Sequence, residues 1–202
     1  MRHLARLAVL LLPLLAGGCS ALSLLGGGSD PLEIYELQTP AIRTAVSRRG
    51  VEVVVEEPVA SGALAVERIM ISPSPLQAQY LPGVRWSDTA PVMVQTLLVR
   101  SLTETGALGS VGRRPVGSTA DYAVLGELTD FQAEVAGEGA VVRVRLILRL
   151  VREADARVVA TRIFVAEQPA GSTGVETVVP AFDLAMSRVL GEAVPWVLAA
   201  AR

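Results

Sequence analysis

The chain contains no lysine and no asparagine; all 18 of its basic residues are arginine. It has one histidine and one cysteine, and aromatic residues make up only 4%. Each scarcity removes a class of chemistry. Without lysine there is no phosphate-cradling GxxxxGKS/T loop. Ser–Lys dyads and Schiff-base chemistry go with it. His3 lies in a segment that reads as a removable leader, so the processed chain has no imidazole base. A lone Cys19 gives no internal disulfide and no zinc site of Cys/His type. A carboxylate pair or a bare Ser or Tyr remains, but nothing presents one at a recognisable spacing. A formal net charge of −2 offers no electrostatic footprint for nucleic acid. The expectation is therefore a non-enzyme, with no catalytic residues, no metal and no cofactor.

Long apolar runs are scarce too. The longest, Leu7 to Leu15, is interrupted by Pro13 and falls short of the ~20 residues a spanning helix needs. Arg2, His3 and Arg6 precede this run, and Ala16, Gly17 and Gly18 follow it. A basic start, a short apolar stretch and small residues form the layout of an export signal. Cys19 directly after the small residues makes it a lipoprotein signal. The stretch LLPLLAGGCS resembles a lipobox, in which the cysteine thiol receives a diacylglycerol and the leader is cut before it. Ala16 holds the place where such boxes more often have Leu, with Leu15 one step earlier. The next residues, SALSLLGGGSDP, read as a flexible tether. The expected organisation is a signal peptide over 1–18, an acylated cysteine and tether over 19–31, and one domain over 32–202. Cutting before Cys19 leaves 184 of the 202 residues and takes the formal charge from −2 to −4. With 51% hydrophobic and 19% charged residues, that length can bury a core.

Within the domain, EIYEL (Glu33–Leu37), VEVVVEEP (Val51–Pro58) and LAVERIMI (Leu64–Ile71) read as short strands. Val51, Val53 and Val55 mark the buried face of the second, and Ser72-Pro73-Ser74-Pro75 closes the third. LQAQYLPGVRWSD reads as irregular. Asp88 to Thr105 is a helix, with N-cap candidates at Ser87, Asp88 and Thr89, Pro91 in the first turn and Gly106 past the end. Leu108 to Arg113 is a short strand. Three long strands follow. In the first, the apolar phase set by Tyr122, Val124, Gly126 and Leu128 flips near Asp130 to Phe131, Ala133 and Val135, as a bulge would require. Val142, Val144, Leu146, Leu148 and Leu150 share one face of the next, with Arg143, Arg145 and Arg149 opposite. The turn Glu153 to Ala156 leads into the third, Val158 to Glu167. Thr173 to Ala201 is a helix with capping-box spacing at Thr173 and Glu176. Its apolar stripe is Phe182, Met186, Val189, Ala193 and Trp196. The expected class is α+β, a single domain with an antiparallel sheet and two main helices packed on one face.

Three features together resemble a known family. They are the lipobox, a Tyr-x-Leu strand soon after it (Tyr35-Glu36-Leu37), and YLPGVRWSDTAPVMVQTLLVRSL. The last carries Tyr80-Leu81, Arg85-Trp86, an acidic residue, and Pro91 opening a helix. The family is the ABC-type transport auxiliary lipoproteins, which include the lipoprotein of the paraquat-inducible, MCE-type lipid transport system. Only Pro82, Gly83 and Val84 separate Tyr-Leu from Arg-Trp, where the family usually has a longer segment. The resemblance implies an anchored, periplasm-facing protein beside a permease, an ATPase and an MCE-domain protein. The machine moves lipids between inner and outer membranes, and the energy comes from the ATPase.

Partner-binding candidates are Tyr80, Leu81, Arg85 and Trp86, since Trp and Arg are enriched at interface hot spots. Core packing of the same residues is the plainer alternative. For Arg143, Arg145 and Arg149 the expectation is a solvated face paired with Glu127, Glu134 or Glu167, rather than a site for anionic headgroups. Ser20, where an Asp would favour inner-membrane retention in enteric bacteria, points by analogy to the outer membrane. The lipidation site is Cys19, and the only bound group expected is its covalent lipid. A partner with ring symmetry would favour a homo-oligomeric ring. Two other readings stay open: a lipid-binding carrier, and an activator of a cell-wall enzyme.

Overall fold

A computed structural model describes residues 31–45, 47–113 and 119–202. The chain parts between Leu32 and Glu33, and every element below belongs to the unit Glu33–Arg202.

The frame is a meander of three long strands, β8 (Tyr122–Ala136), β9 (Gly139–Arg152) and β10 (Arg157–Ala170). Its sequence alternates, so one face is apolar. Val142, Val144, Leu146, Leu148 and Leu150 of β9 are all 0% exposed. Burying each such side chain is worth about 1.5–3 kcal/mol, and this face holds the sheet to the helices. The phase flip expected near Asp130 is real: the β8–β9 register shifts between Leu128 and Asp130, leaving Thr129 unpaired in the ladder. Ala156, at φ 53, takes the left-handed position in the β9–β10 turn.

The expectation of an antiparallel sheet is corrected. The eight-stranded sheet is mixed, with the path β10-β9-β8-β2-β7. Strands β2 (Glu52–Val55), β3 (Val59–Ala60) and β4 (Met70–Ser74) all run parallel to β8, and β2 also runs parallel to β7 (Ser110–Gly112). A parallel pair needs a long crossover. Between β2 and β7 that crossover contains helix α1 (Ala90–Glu104). Being a parallel strand inside the sheet, β2 buries Val53, Val54 and Val55 alike. The expected Val51/Val53/Val55 alternation fails for that reason.

Two further expectations change. The third strand does not begin at Leu64: residues 62–68 are turns and bends, and β4 starts at Met70 and runs through Ser74. Pro73 is tolerated because it sits where the register between β4 and β5 (Gln77–Tyr80) is broken. The stretch read as irregular contains β5 and β6 (Val84–Trp86). β6 pairs in parallel with β1 (Glu33–Tyr35) in a separate two-stranded sheet.

Both helices lie on the apolar face. Helix α2 (Val175–Ala200) crosses β9 and β10, and α1 packs on α2 and β2. Helix α1 begins two residues later than expected, after an extended Thr89 whose side chain makes no cap. Gly106, at φ 64, supplies the left-handed residue past its end. The Thr173/Glu176 capping box does not form. Gly174 is the N-cap, and the Ser172 hydroxyl accepts its N–H at 3.1 Å. Phe182, Met186, Val189 and Ala193 are buried, while Trp196 is half-buried and meets Phe164 edge-on at 5.6 Å. Pro180 and Pro195 both lie inside the helix. Among the described residues no helix is long and apolar enough to cross a membrane.

Candidate partner-binding site

The fold brings the two motif segments together. Register pairs Glu33 with Val84, Ile34 with Arg85 and Tyr35 with Trp86. The junction is fixed by the backbone: Glu33 N–H donates to Gly83 O at 3.0 Å, Ser87 N–H to Tyr35 O at 2.8 Å and Trp86 N–H to Glu67 O at 2.7 Å. Gln38 N–H donates to the Asp183 carboxylate at 2.7 Å, tying the end of this segment to α2.

Side chains at the junction divide into two sets. Trp86 is 1% exposed and sits edge-on to Phe182 at 5.2 Å, with Phe131 at 5.8 Å. Leu81, Leu37 and Val84 are buried beside it. Of the four partner-binding candidates, Trp86 and Leu81 thus join sheet to helix inside the core. Tyr80 and Arg85 are half-buried. The Tyr80 hydroxyl donates to Ala63 O at 3.2 Å, and its ring lies under the Arg68 guanidinium at 5.5 Å. Arg85 pairs with Glu67 at 2.6 Å and also donates to Trp86 O. Glu67 was not legible as its partner: it lies 18 residues away, and no period links them.

Two clefts open at this end. A groove of about 500 Å³ runs over Tyr80, Leu81, Ile71, Pro82, Val135 and Val175. A second, of about 320 Å³, lies between Leu37, Met93 and Leu97, with Glu36 and Arg100 paired at 3.3 Å on its rim. Tyr35, beside them, donates to Glu33 at 2.7 Å, and that bond pushes its hydroxyl pKa up.

On the sheet face away from the helices, Arg143 meets Glu134 at 3.1 Å and Glu167 at 2.7 Å, and Arg149 meets Glu127 at 3.7 Å. The hydrogen bond to Glu134 holds the Arg143 pKa above its ordinary value. Such half-exposed pairs contribute about 0–1 kcal/mol each, so this face sets register more than stability. Arg145 has no ion pair among the described residues. Cys19, the lipobox and the tether before residue 31 lie outside the described residues. Among the described residues no group of three or more His, Cys, Asp or Glu is gathered to hold a metal.

Comparison with known proteins agrees with this architecture. A Xanthomonas campestris protein of the DUF330 family, solved by crystallography, has a similar fold over 83% of this chain and 95% of its own, at 27% identity and a TM-score of 0.77. A hypothetical protein from Chlamydia trachomatis shares the fold at 12% identity, covering 76% of this chain and 98% of its own, with a TM-score of 0.52. An uncharacterized protein of Bradyrhizobium diazoefficiens is 28% identical over 180 residues, 87% of this chain; the chain spans 47% of that relative's length. The sequence pattern defining the family described as "ABC-type transport auxiliary lipoprotein component" matches residues 35–194. The chain belongs to the family of ABC-type transport auxiliary lipoproteins.

Proposed function

We propose that this protein is the auxiliary lipoprotein of an MCE/ABC-type transporter that moves lipids between the inner and outer membranes, and that it works by docking to other proteins. In this reading residues 1–18 are removed and Cys19 is acylated. The tether to residue 31 lets the domain stand off the membrane on its periplasmic side, with the outer membrane favoured over the inner. Several acyl chains on one cysteine give a stable anchor where one would not. The partners are the MCE-domain protein, the permease and the ATPase. The domain itself is not an enzyme and needs no bound group beyond its covalent lipid.

The observation that supports docking over carriage is the state of the interior. Trp86, Phe131, Phe182, Met186 and Leu148, all 2% exposed or less, fill the space between sheet and helices, where a carrier would hold its ligand. Exposed and half-buried surface around Tyr80 and Arg85 is what this end offers a partner.

The test is recovery of partners. The chain is tagged at its C-terminus, membranes are solubilised gently, and bound proteins are identified by mass spectrometry beside a Cys19→Ala control. Docking at a membrane predicts transporter components, an MCE-domain protein among them, that are lost or reduced in the control. Recovery of a cell-wall enzyme and no transporter component would contradict the proposal.

A further inference from the structure

Ile69 to Val84 is the longest uncharged run in the domain over 32–202, 16 residues in a chain that is 19% charged. It contains the hairpin of β4 and β5, and among the described residues β5 pairs only with β4. The hairpin leaves the sheet. Ile71 and Ser72 of β4 are in register with Ala133 and Glu134 of β8. Carried on, that register sets Ser74 level with Ala136, the last residue of β8, so the Pro75–Leu76 turn lies past the end of the sheet. Every residue from Pro73 to Gln79 is exposed, and Leu76 at the tip is 101% exposed.

Other exposed apolar residues keep charges beside them. Val59 follows Glu56 and Glu57, Leu184 follows Asp183, and Val165 is in register with Arg145. Around Leu76 charge stops at the base of the hairpin, where Arg68 lies over the Tyr80 ring at 5.5 Å and Arg85 is paired with Glu67 at 2.6 Å. The groove over Tyr80, Leu81, Val135 and Val175 is lined by no charged residue either. The chain enters the domain at this same base, where Glu33 N–H donates to Gly83 O at 3.0 Å. Glu33 lies 14 residues after Cys19, so it is held within about 50 Å of an anchor there, however the intervening chain runs. An anchor on Cys19 therefore tethers this end of the domain more closely than the Glu153–Ala156 turn at the far end of the long strands.

We propose that the tip of the β4–β5 hairpin, Pro75-Leu76, enters the surface of the bilayer that carries the anchor, with Leu76 at the boundary of headgroups and acyl chains. It rests on the acylated Cys19 of the proposed function. A lipid surface is the occupant that the composition fits. Charged side chains are strongly disfavoured in the acyl region, and this hairpin has none. Ser72, Ser74, Gln77 and Gln79 supply neutral groups that can hydrogen-bond among headgroups. The unpaired outer backbone of β5 must stay hydrated. That limits entry to the tip and leaves Tyr80 and Arg85, at the base, clear for a protein partner. One leucine suffices because the anchor already holds the domain at the surface, which makes the second contact intramolecular.

The full-length acylated chain is reconstituted into phosphatidylcholine vesicles with and without bromine on the acyl chains, which quenches any tryptophan it contacts. Leu76→Trp is compared with Ala154→Trp in the far turn. Both sites are exposed, so neither change disturbs the core, and Trp86 and Trp196 set the background. Flotation and intact mass report the anchor in each sample. Entry predicts that bromine at least halves the emission added by Leu76→Trp, at low and high salt alike, and leaves that added by Ala154→Trp unchanged. A floating, acylated chain whose Leu76→Trp emission is not quenched overturns the proposal and leaves the anchor standing. So does a blue shift of that emission without quenching, which would place a second copy over the tip, and so does equal quenching at both sites. A chain without lipid on Cys19 overturns the anchoring reading and this proposal with it.

Discussion

Trp86→Ala is expected to lower the unfolding free energy by about 3–5 kcal/mol, the usual cost of truncating a large buried aromatic. The side chain is 1% exposed and contacts Phe182 and Phe131, which themselves meet at 4.8 Å. These rings come from β6, β8 and α2, elements far apart in the chain, so no neighbour can collapse into the space without moving backbone. Urea denaturation would show a lower midpoint with little change in slope. Tyr80→Ala, at a half-buried site, should cost much less. The comparison separates two roles that the sequence leaves equivalent for the Arg-Trp and Tyr-Leu pairs. A Trp86→Ala protein of unchanged stability that has lost only its partners would make the tryptophan an anchor for another chain and not a core residue.

Arg49→Ala is expected to cost about 1.5–3 kcal/mol. Arg49 lies in the stretch between β1 and β2, yet its guanidinium donates to Leu198 O at 3.1 Å and Ala201 O at 3.0 Å. It thereby satisfies carbonyls at the end of α2 that have no partner within the helix. A cation at this end also complements the helix dipole. Hydrogen bonds from a charged donor are worth about 1.5–3 kcal/mol when the acceptor is otherwise left unpaired. Both bonds leave one guanidinium nitrogen, so Arg49→Lys, whose ammonium also carries several donors, should recover part of the loss, and only part because its flexible stem is less pre-organised. Hydrogen exchange in the last turn of α2 should quicken in Arg49→Ala before the rest of the helix is affected. Unchanged exchange there, with unchanged stability, would mean that water serves these carbonyls equally well.

The parts of the fold that were legible are those governed by local period. Strands β8, β9 and β10 alternate cleanly, and the bulge showed as a phase flip because Phe131 and Ala133 must reach the same core as Leu128. The pairing of Arg143 with Glu134 and Glu167 follows from register once the hairpins are known. What could not be read depends on distant chain. Parallel pairing of β2 with β8 rests on a crossover of more than sixty residues, and nothing within VEVVVEEP records its partner's direction. Strand β5 is exposed along most of its length, so no apolar alternation marks it. The α2 cap position is Gly174, one residue past Thr173, and its N–H goes to the Ser172 hydroxyl with no side chain capping the first turn. For the candidate site, sequence located the residues but not their depth. Trp and Arg side by side fit a hot spot and a core edge equally well, and only the packing of α2 against β6 and β8 puts Trp86 inside while leaving Arg85 half-exposed.

The most direct measurement of docking against carriage is native mass spectrometry of the tagged protein, extracted without delipidation and released from its complexes in the gas phase. Docking predicts that the chain leaves bound to transporter proteins and that the freed chain carries the covalent lipid on Cys19 and nothing more. A freed chain holding one non-covalent phospholipid, retained after its protein partners are stripped away, would contradict docking and make the domain a carrier.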